Sequence, residues 1–242
     1  LTDPALKSEA QALTGRSLFA QGKFDLAAAS LEKSLATKPD TEQSDETMLV
    51  LADAYRQLDR QSASTALLKR VVQQFPNSSR LDEATFRLGE AAYEQGNLEE
   101  AVSQYSAVVQ RWPDGQFAPH AQYGLGWAYF NAEEFVSTIE AMSTLLEKFR
   151  TSEVAPKGYY VRAMANYQIG ELQSVLNDVQ AYLRTNPKLN DAQDAKYVKG
   201  LALAGLGKFD DAASEYKAIL QAVPNYEAAD KVAYELAWAH VE

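Results

Sequence analysis

The chain has 242 residues, 46% of them hydrophobic, with 23 Lys and Arg against 33 Asp and Glu and a formal net charge of -10. That balance argues against contact with nucleic acid or an anionic membrane surface, both of which need clustered cations. The sequence has no cysteine, which excludes disulfides, thiol catalysis and zinc–thiolate sites, and no run of eighteen apolar residues offers a membrane span.

The first element opens at TDPALKSEA, where Asp3 is the expected N-cap and Pro4 the first helical residue. Residues 22–35 then read GKFDLAAASLEKSL, and residues 207–220 read GKFDDAASEYKAIL, an offset of 185. The prolines explain the recurrence. Pro39, Pro76, Pro113, Pro187 and Pro224 are spaced 37, 37, 74 and 37 apart, with Arg150 in the missing place. Pro119 and Pro156 share the interval on a second phase, and 185 is five of it.

Further columns appear in this register. One reads Gly15, Ala52, Gly89, Gly126, Ala163, Gly200 and Ala237; a second reads Gly22, Asp59, Gly96, Glu133, Gly170 and Gly207. In the third unit, EATFRLGEAAYEQG spaces Phe86, Leu88, Gly89, Ala92 and Tyr93 by threes and fours, as an amphipathic helix requires. Gly96 gives it a left-handed stop. LEEAVSQYSAVVQRW then forms a second helix that Pro113 ends. The Gly/Ala column lets the two helices cross closely.

The predicted units are about 4–40, 44–77, 79–114, 116–151, 152–188 and 190–225, with a half unit at 226–242. Units two (Asp59, Gln61, Ser64) and four (Glu133, Arg150) depart most from the pattern, and local distortion is expected there. PNSSRLDEA and RTSEVAPKG place a Ser N-cap before a first helix, with Pro156 in its first turn. The last helix, through AYELAWAHVE, is more apolar than a terminal cap needs. The chain is therefore expected to be an excerpt of a longer protein.

Motifs for catalysis are weak. AGLGKF at 204–209 lacks both the leading Gly and the Ser or Thr of a phosphate-binding loop. His120 and His240 lie more than three units apart, so they form neither a triad nor a metal site. Glu99–Glu100 and Glu133–Glu134 fall at turns or second-helix starts, where they complement the helix dipole. No cofactor, metal or catalytic residue is expected.

The small residue in an aromatic-rich first helix, the G-x-[FL] turn, the small and aromatic positions of the second helix and the closing Pro resemble the tetratricopeptide repeat. The stretch Gly89, Gly96, Leu98, Ala101, Tyr105 and Pro113 carries the resemblance best, and the likeness covers the whole chain. It implies an all-α, right-handed superhelical solenoid of antiparallel helix hairpins, six full repeats plus one helix. The usual unit has 34 residues; the three added here suggest a first helix lengthened by about one turn. Such units resemble those of bacterial cell-envelope proteins, which sets an expectation of a periplasmic or envelope location.

In the family the first helices line a concave face that holds ligands. The residues carried over are Tyr123, Trp127, Phe130, Tyr160, Met164, Tyr167, Tyr197, Leu201, Tyr234 and Trp238, with Asp53, Glu90 and Glu94 making the earlier units acidic. The tyrosines also suit packing between helices. Trp127, Met164, Leu201 and Trp238 occupy a position that is usually polar, and an exposed apolar strip there marks an interface. Members that clamp a terminal carboxylate use Lys and Asn where this chain has Asp53 and Glu90, which would repel one. The expectation is a non-enzymatic scaffold for a protein or extended peptide with apolar anchors and a basic flank. The alternatives are an architectural module that packs on its own parent chain or self-associates, and, ranked lowest, an all-helical carbohydrate-acting enzyme.

Overall fold

The computed structural model describes residues 3–38, 43–223 and 226–241. The expected closing prolines Pro39 and Pro224, and the unit ends at 40, 225 and 242, lie outside them. Thirteen helices are found among the described residues, and no strand. They are α1 (Pro4–Ala20), α2 (Phe24–Thr37), α3 (Ser44–Gln57), α4 (Gln61–Gln74), α5 (Leu81–Glu94), α6 (Leu98–Arg111), α7 (Ala118–Asn131), α8 (Phe135–Lys148), α9 (Ala155–Gln168), α10 (Leu172–Leu183), α11 (Leu189–Gly205), α12 (Phe209–Ala222) and α13 (Ala229–Val241). The even-numbered helices from α2 to α12 begin at 24, 61, 98, 135, 172 and 209, always 37 residues apart.

Every hairpin turn closes in the same way. The residue at 22, 59, 96, 133, 170 and 207 is left-handed, with φ between 56° and 80°. The next amide donates back across the helix end: Lys23 N to Leu18 O at 3.0 Å, Asn97 N to Ala92 O at 2.9 Å and Lys208 N to Leu203 O at 2.9 Å. This six-residue loop-back satisfies carbonyls that a helix end leaves open. Asp59 and Glu133 adopt it too, at φ 56° and 60°. The distortion expected in units two and four is therefore confined to backbone strain at one residue each, and α4 and α8 keep the common length of 14 residues.

The first helices are not generally lengthened. α3, α5, α7 and α9 have 14 residues, as do α4, α6 and α8; α1 and α11 have 17. A hairpin turn of three residues and a connection of six, at 75–80, 112–117 and 149–154, complete the unit. Ser78 and Ser152 sit in those connections and are not N-caps. The Ser78 hydroxyl accepts from Arg80 N at 3.0 Å and Ser152 from Val154 N at 3.4 Å, while Arg80 and Val154 hold the cap positions without a side-chain bond. Asp3 does cap α1, accepting from Ala5 N at 2.8 Å, and Pro156 lies in the first turn of α9.

Two compact units are distinguished, Leu1–Ala121 and Gln122–Glu242. In the first, α1 packs on α2, α3 on α4 and α5 on α6, with α2 against α3 and α4 against α5. Its core holds Leu31, Met48, Leu51, Leu67, Leu68, Val71 and Leu88. In the second, α8 to α13 pack each on the next, and the first helices α9, α11 and α13 touch in turn. Its core lies around Val175, Val179 and Tyr182 and around Tyr216, Ile219 and Val232.

The Gly/Ala column is where hairpin partners meet, its first six positions each facing the residue sixteen further on. A β-carbon at Gly15 would lie 2.5 Å from Leu31, at Gly89 2.7 Å from the Tyr105 ring, at Gly126 1.9 Å from Met142 and at Gly200 2.3 Å from the Tyr216 ring. Ala52 shares a core cluster with Leu68, and Ala163 with Val179. The bulk of the second-helix residue and the smallness of its first-helix partner are complementary at each crossing.

Candidate functional site

The first-helix residues of the unit Leu1–Ala121 form a charged lattice. Arg16 on α1 reaches Glu46 on α3 at 2.5 Å, and Arg80 lies 3.5 Å from Glu46 and 3.3 Å from Glu83. On α5, Arg87 pairs with Glu83 at 2.5 Å and with Asp53 across on α3. Asp53 is thus an internal partner of Arg87, so the acidic surface expected here narrows to Glu90 and Glu94. Glu90 is half-buried beside a cavity of about 190 Å³ that it lines with Asp53, Arg56, Arg87 and the stacked rings of Phe86 and Phe117, 5.3 Å apart. Burial pushes the Glu90 carboxyl above its ordinary range, with Arg56 and Arg87 pulling the other way. Glu94 is exposed.

In the unit Gln122–Glu242 the candidates are aromatic and aliphatic. On α7, Tyr123, Trp127 and Phe130 form an edge-to-face row with centroid spacings of 6.4 and 5.7 Å, which continues to Phe135 of α8 at 5.6 Å. All three are half-buried. On α9, Tyr160 packs on Tyr182 at 5.8 Å, and burial, reinforced by Asp194, pushes its hydroxyl up to about 12. Tyr197 of α11 packs on Tyr216 at 6.2 Å. These two tyrosines belong to the hairpin interfaces. Met164, Tyr167 and Leu201 are half-buried. On α13, Tyr234 is 69% exposed, and Trp238, 44% exposed, lies edge-on to Phe209 at 5.6 Å.

The row Trp127, Met164, Leu201, Trp238 therefore lies on successive first helices, shielded in its earlier members and open at the last. Among the described residues no group of three His, Asp or Glu converges as a metal set, and no helix is long and apolar enough to cross a membrane.

Two family models described as tetratricopeptide repeat match the chain, over residues 18–88 and 160–227. The chain is a tetratricopeptide-repeat protein. Overlapping the ends of both segments, residues 83–171 match the model of YfiO, an outer membrane lipoprotein. Similar solved structures include PilF of Pseudomonas aeruginosa, 14% identical with a TM-score of 0.71, covering 96% of this chain and 99% of that one. The C-terminal part of a tetratricopeptide-repeat protein from Cytophaga hutchinsonii gives a TM-score of 0.74 at 18% identity, covering 93% and 87%. MamA of Desulfovibrio magneticus RS-1 gives 0.63 at 17% identity, covering 74% and 94%. At these identities the likeness is one of fold, the all-helical repeat solenoid. No curated protein matches the sequence.

This tetratricopeptide-repeat protein also carries polar side chains that the inward columns do not reveal. Arg162 on α9 grips Asp178 on α10 with two bonds, Nε to Oδ2 at 2.9 Å and Nη2 to Oδ1 at 2.6 Å. One unit later Lys199 pairs with Glu215. The register held the signal: the column reads Thr14, Leu51, Leu88, Leu125, Arg162, Lys199, Leu236, and its partner column Ser30, Leu67, Gln104, Ala141, Asp178, Glu215. Asp194, which accepts from the Tyr226 hydroxyl, was likewise missed, because its partner comes from the next unit.

Proposed function

We propose that the first helices of the unit Gln122–Glu242 bind a segment of another protein, without catalysis, through the row Trp127, Met164, Leu201 and Trp238. The carrying observation is that one register position holds large apolar side chains on four successive first helices, none fully buried and Trp238 open to solvent. Stacked helical repeats present extended surfaces of this kind to their partners. Apolar side chains ringed by polar ones serve as anchors there. Tyr234 beside Trp238 widens the apolar area.

In the unit Leu1–Ala121 the same position reads Arg16, Asp53 and Glu90; Arg16 and Asp53 are engaged by Glu46 and Arg87, so the surface offered to a basic segment is Glu90 with the exposed Glu94. A second reading is association of α13 with another copy or another part of the polypeptide, through Tyr234 and Trp238, 69% and 44% exposed.

Site-specific photo-crosslinking in cells tests the reading. A photoreactive residue at Leu201 is expected to trap a protein, and one at exposed Lys217 on α12 to trap none. Equal trapping at both, or none at 201, contradicts the proposal; trapping of the chain itself supports the second reading.

A further inference from the structure

The hairpin of α9 and α10 holds a second site, independent of the proposed row. Arg162 stands two residues from both Tyr160 and Met164, and so on the opposite side of α9. Its guanidinium has five N–H donors. Three are engaged, two by Asp178 and one by the Ser143 hydroxyl at 2.9 Å. Asp178, 5% exposed, also accepts from Asn166 Nδ2 at 3.2 Å, so both its oxygens are taken. Beside this cluster lies a cavity of about 270 Å³, which Ser174 and Asn177 complete.

The fold does not require the arrangement. At the same two positions the repeat at 44–77 has Leu51 and Leu67 in one apolar core, and its hairpin closes with the same turn. Sequestering an ion pair carries a desolvation cost that two leucines avoid. The cavity is lined by Arg162, which has two N–H groups beyond those bonded to Asp178 and Ser143, by the Asn166 and Asn177 amides and the Ser143 and Ser174 hydroxyls, and by Asp178 and Ile139. The one anion, Asp178, has its charge paired with Arg162 and accepts three hydrogen bonds, two at Oδ2 and one at Oδ1. Such a set complements a planar acceptor that carries negative charge, and a guanidinium fixed from behind meets a carboxylate with its fork in place.

We infer that this cavity binds a carboxylate, carried by an acidic peptide side chain or by a free organic acid. Asn177 also lines a wider depression of about 490 Å³, formed with Leu176 and Leu183 and extending to Arg184 and Lys199, which gives a peptide a largely apolar path along α10 with cations beside it.

The test is NMR of the whole chain, following the Arg162 Nε–H and Asn177 side-chain signals during titration with glutarate, a glutamate-rich decapeptide and neutral glutaramide. Both acids are expected to shift these signals saturably, and glutaramide not. Saturation by the peptide at tenfold lower concentration assigns the carboxylate to a peptide; equal saturation assigns it to a free acid. The double variant Arg162→Leu/Asp178→Leu copies the repeat at 44–77 and is expected to keep its helical spectrum and lose saturable binding. Arg162→Lys keeps the charge without the fork, and is expected to bind at least tenfold more weakly. No saturable shift with either acid, an equal response to glutaramide, or undiminished binding by either variant overturns the inference.

Discussion

Glu133 sits at φ 60° in a turn whose counterparts at 22, 96, 170 and 207 are glycine. A β-carbon there meets the following carbonyl, at about 1–2 kcal/mol. Glu133→Gly removes that conflict and returns part of the gain as unfolded-chain entropy. The expected net stabilisation is about 1 kcal/mol in urea denaturation. Asp59→Gly should gain less, because aspartate tolerates the left-handed region better. Loss of stability in Glu133→Gly would contradict the turn geometry. At this scale the turn column was legible because backbone sterics admit few residues with positive φ. The serine caps were not: Ser78 and Ser152 lie two residues before the cap positions, and only the path of the connection shows which amide each hydroxyl meets.

Helix pairing depends on how a small first-helix residue faces a large second-helix one. Gly200→Ala would place a β-carbon 2.3 Å from the fully buried Tyr216 ring, a plate with no room to turn. Gly126→Ala would meet the terminal methyl of Met142, which can swing aside. Overpacking costs about 1–3 kcal/mol, against about 1 kcal/mol gained in helix propensity. Gly200→Ala is therefore expected to lose about 2 kcal/mol and Gly126→Ala less than about 1 kcal/mol by thermal or urea unfolding. The reverse order would show that the crossing residues are misassigned. Helix number, order and phase could be read from recurrence alone. The division of the unit could not, because three added residues fit a longer helix or a longer connection equally well, and the folded chain has them in the connection. The Arg162–Asp178 pair escaped for a related reason. Its two columns were visible, but the sixteen-residue offset that joins them is a property of the folded hairpin.

For the molecule as a whole, the sequence shows which side chains share a register position but not how open each is. Trp127 was expected on an exposed strip, yet the rings of Tyr123 and Phe130 cover part of it, whereas Trp238 keeps almost half its surface in water. Asp53 was expected as a free carboxylate and is paired with Arg87, an arginine one unit away that columns of like position do not bring to attention. The apolar row of the unit Gln122–Glu242 is the feature on which the functional reading stands. Its most direct test is affinity measured with the crosslinked partner for the double variant Trp127→Ala/Trp238→Ala, alongside its circular dichroism. The account predicts that binding falls at least a hundredfold, the loss of two aromatic anchors, while the helical spectrum is unchanged. Wild-type affinity in a fully helical variant would contradict it.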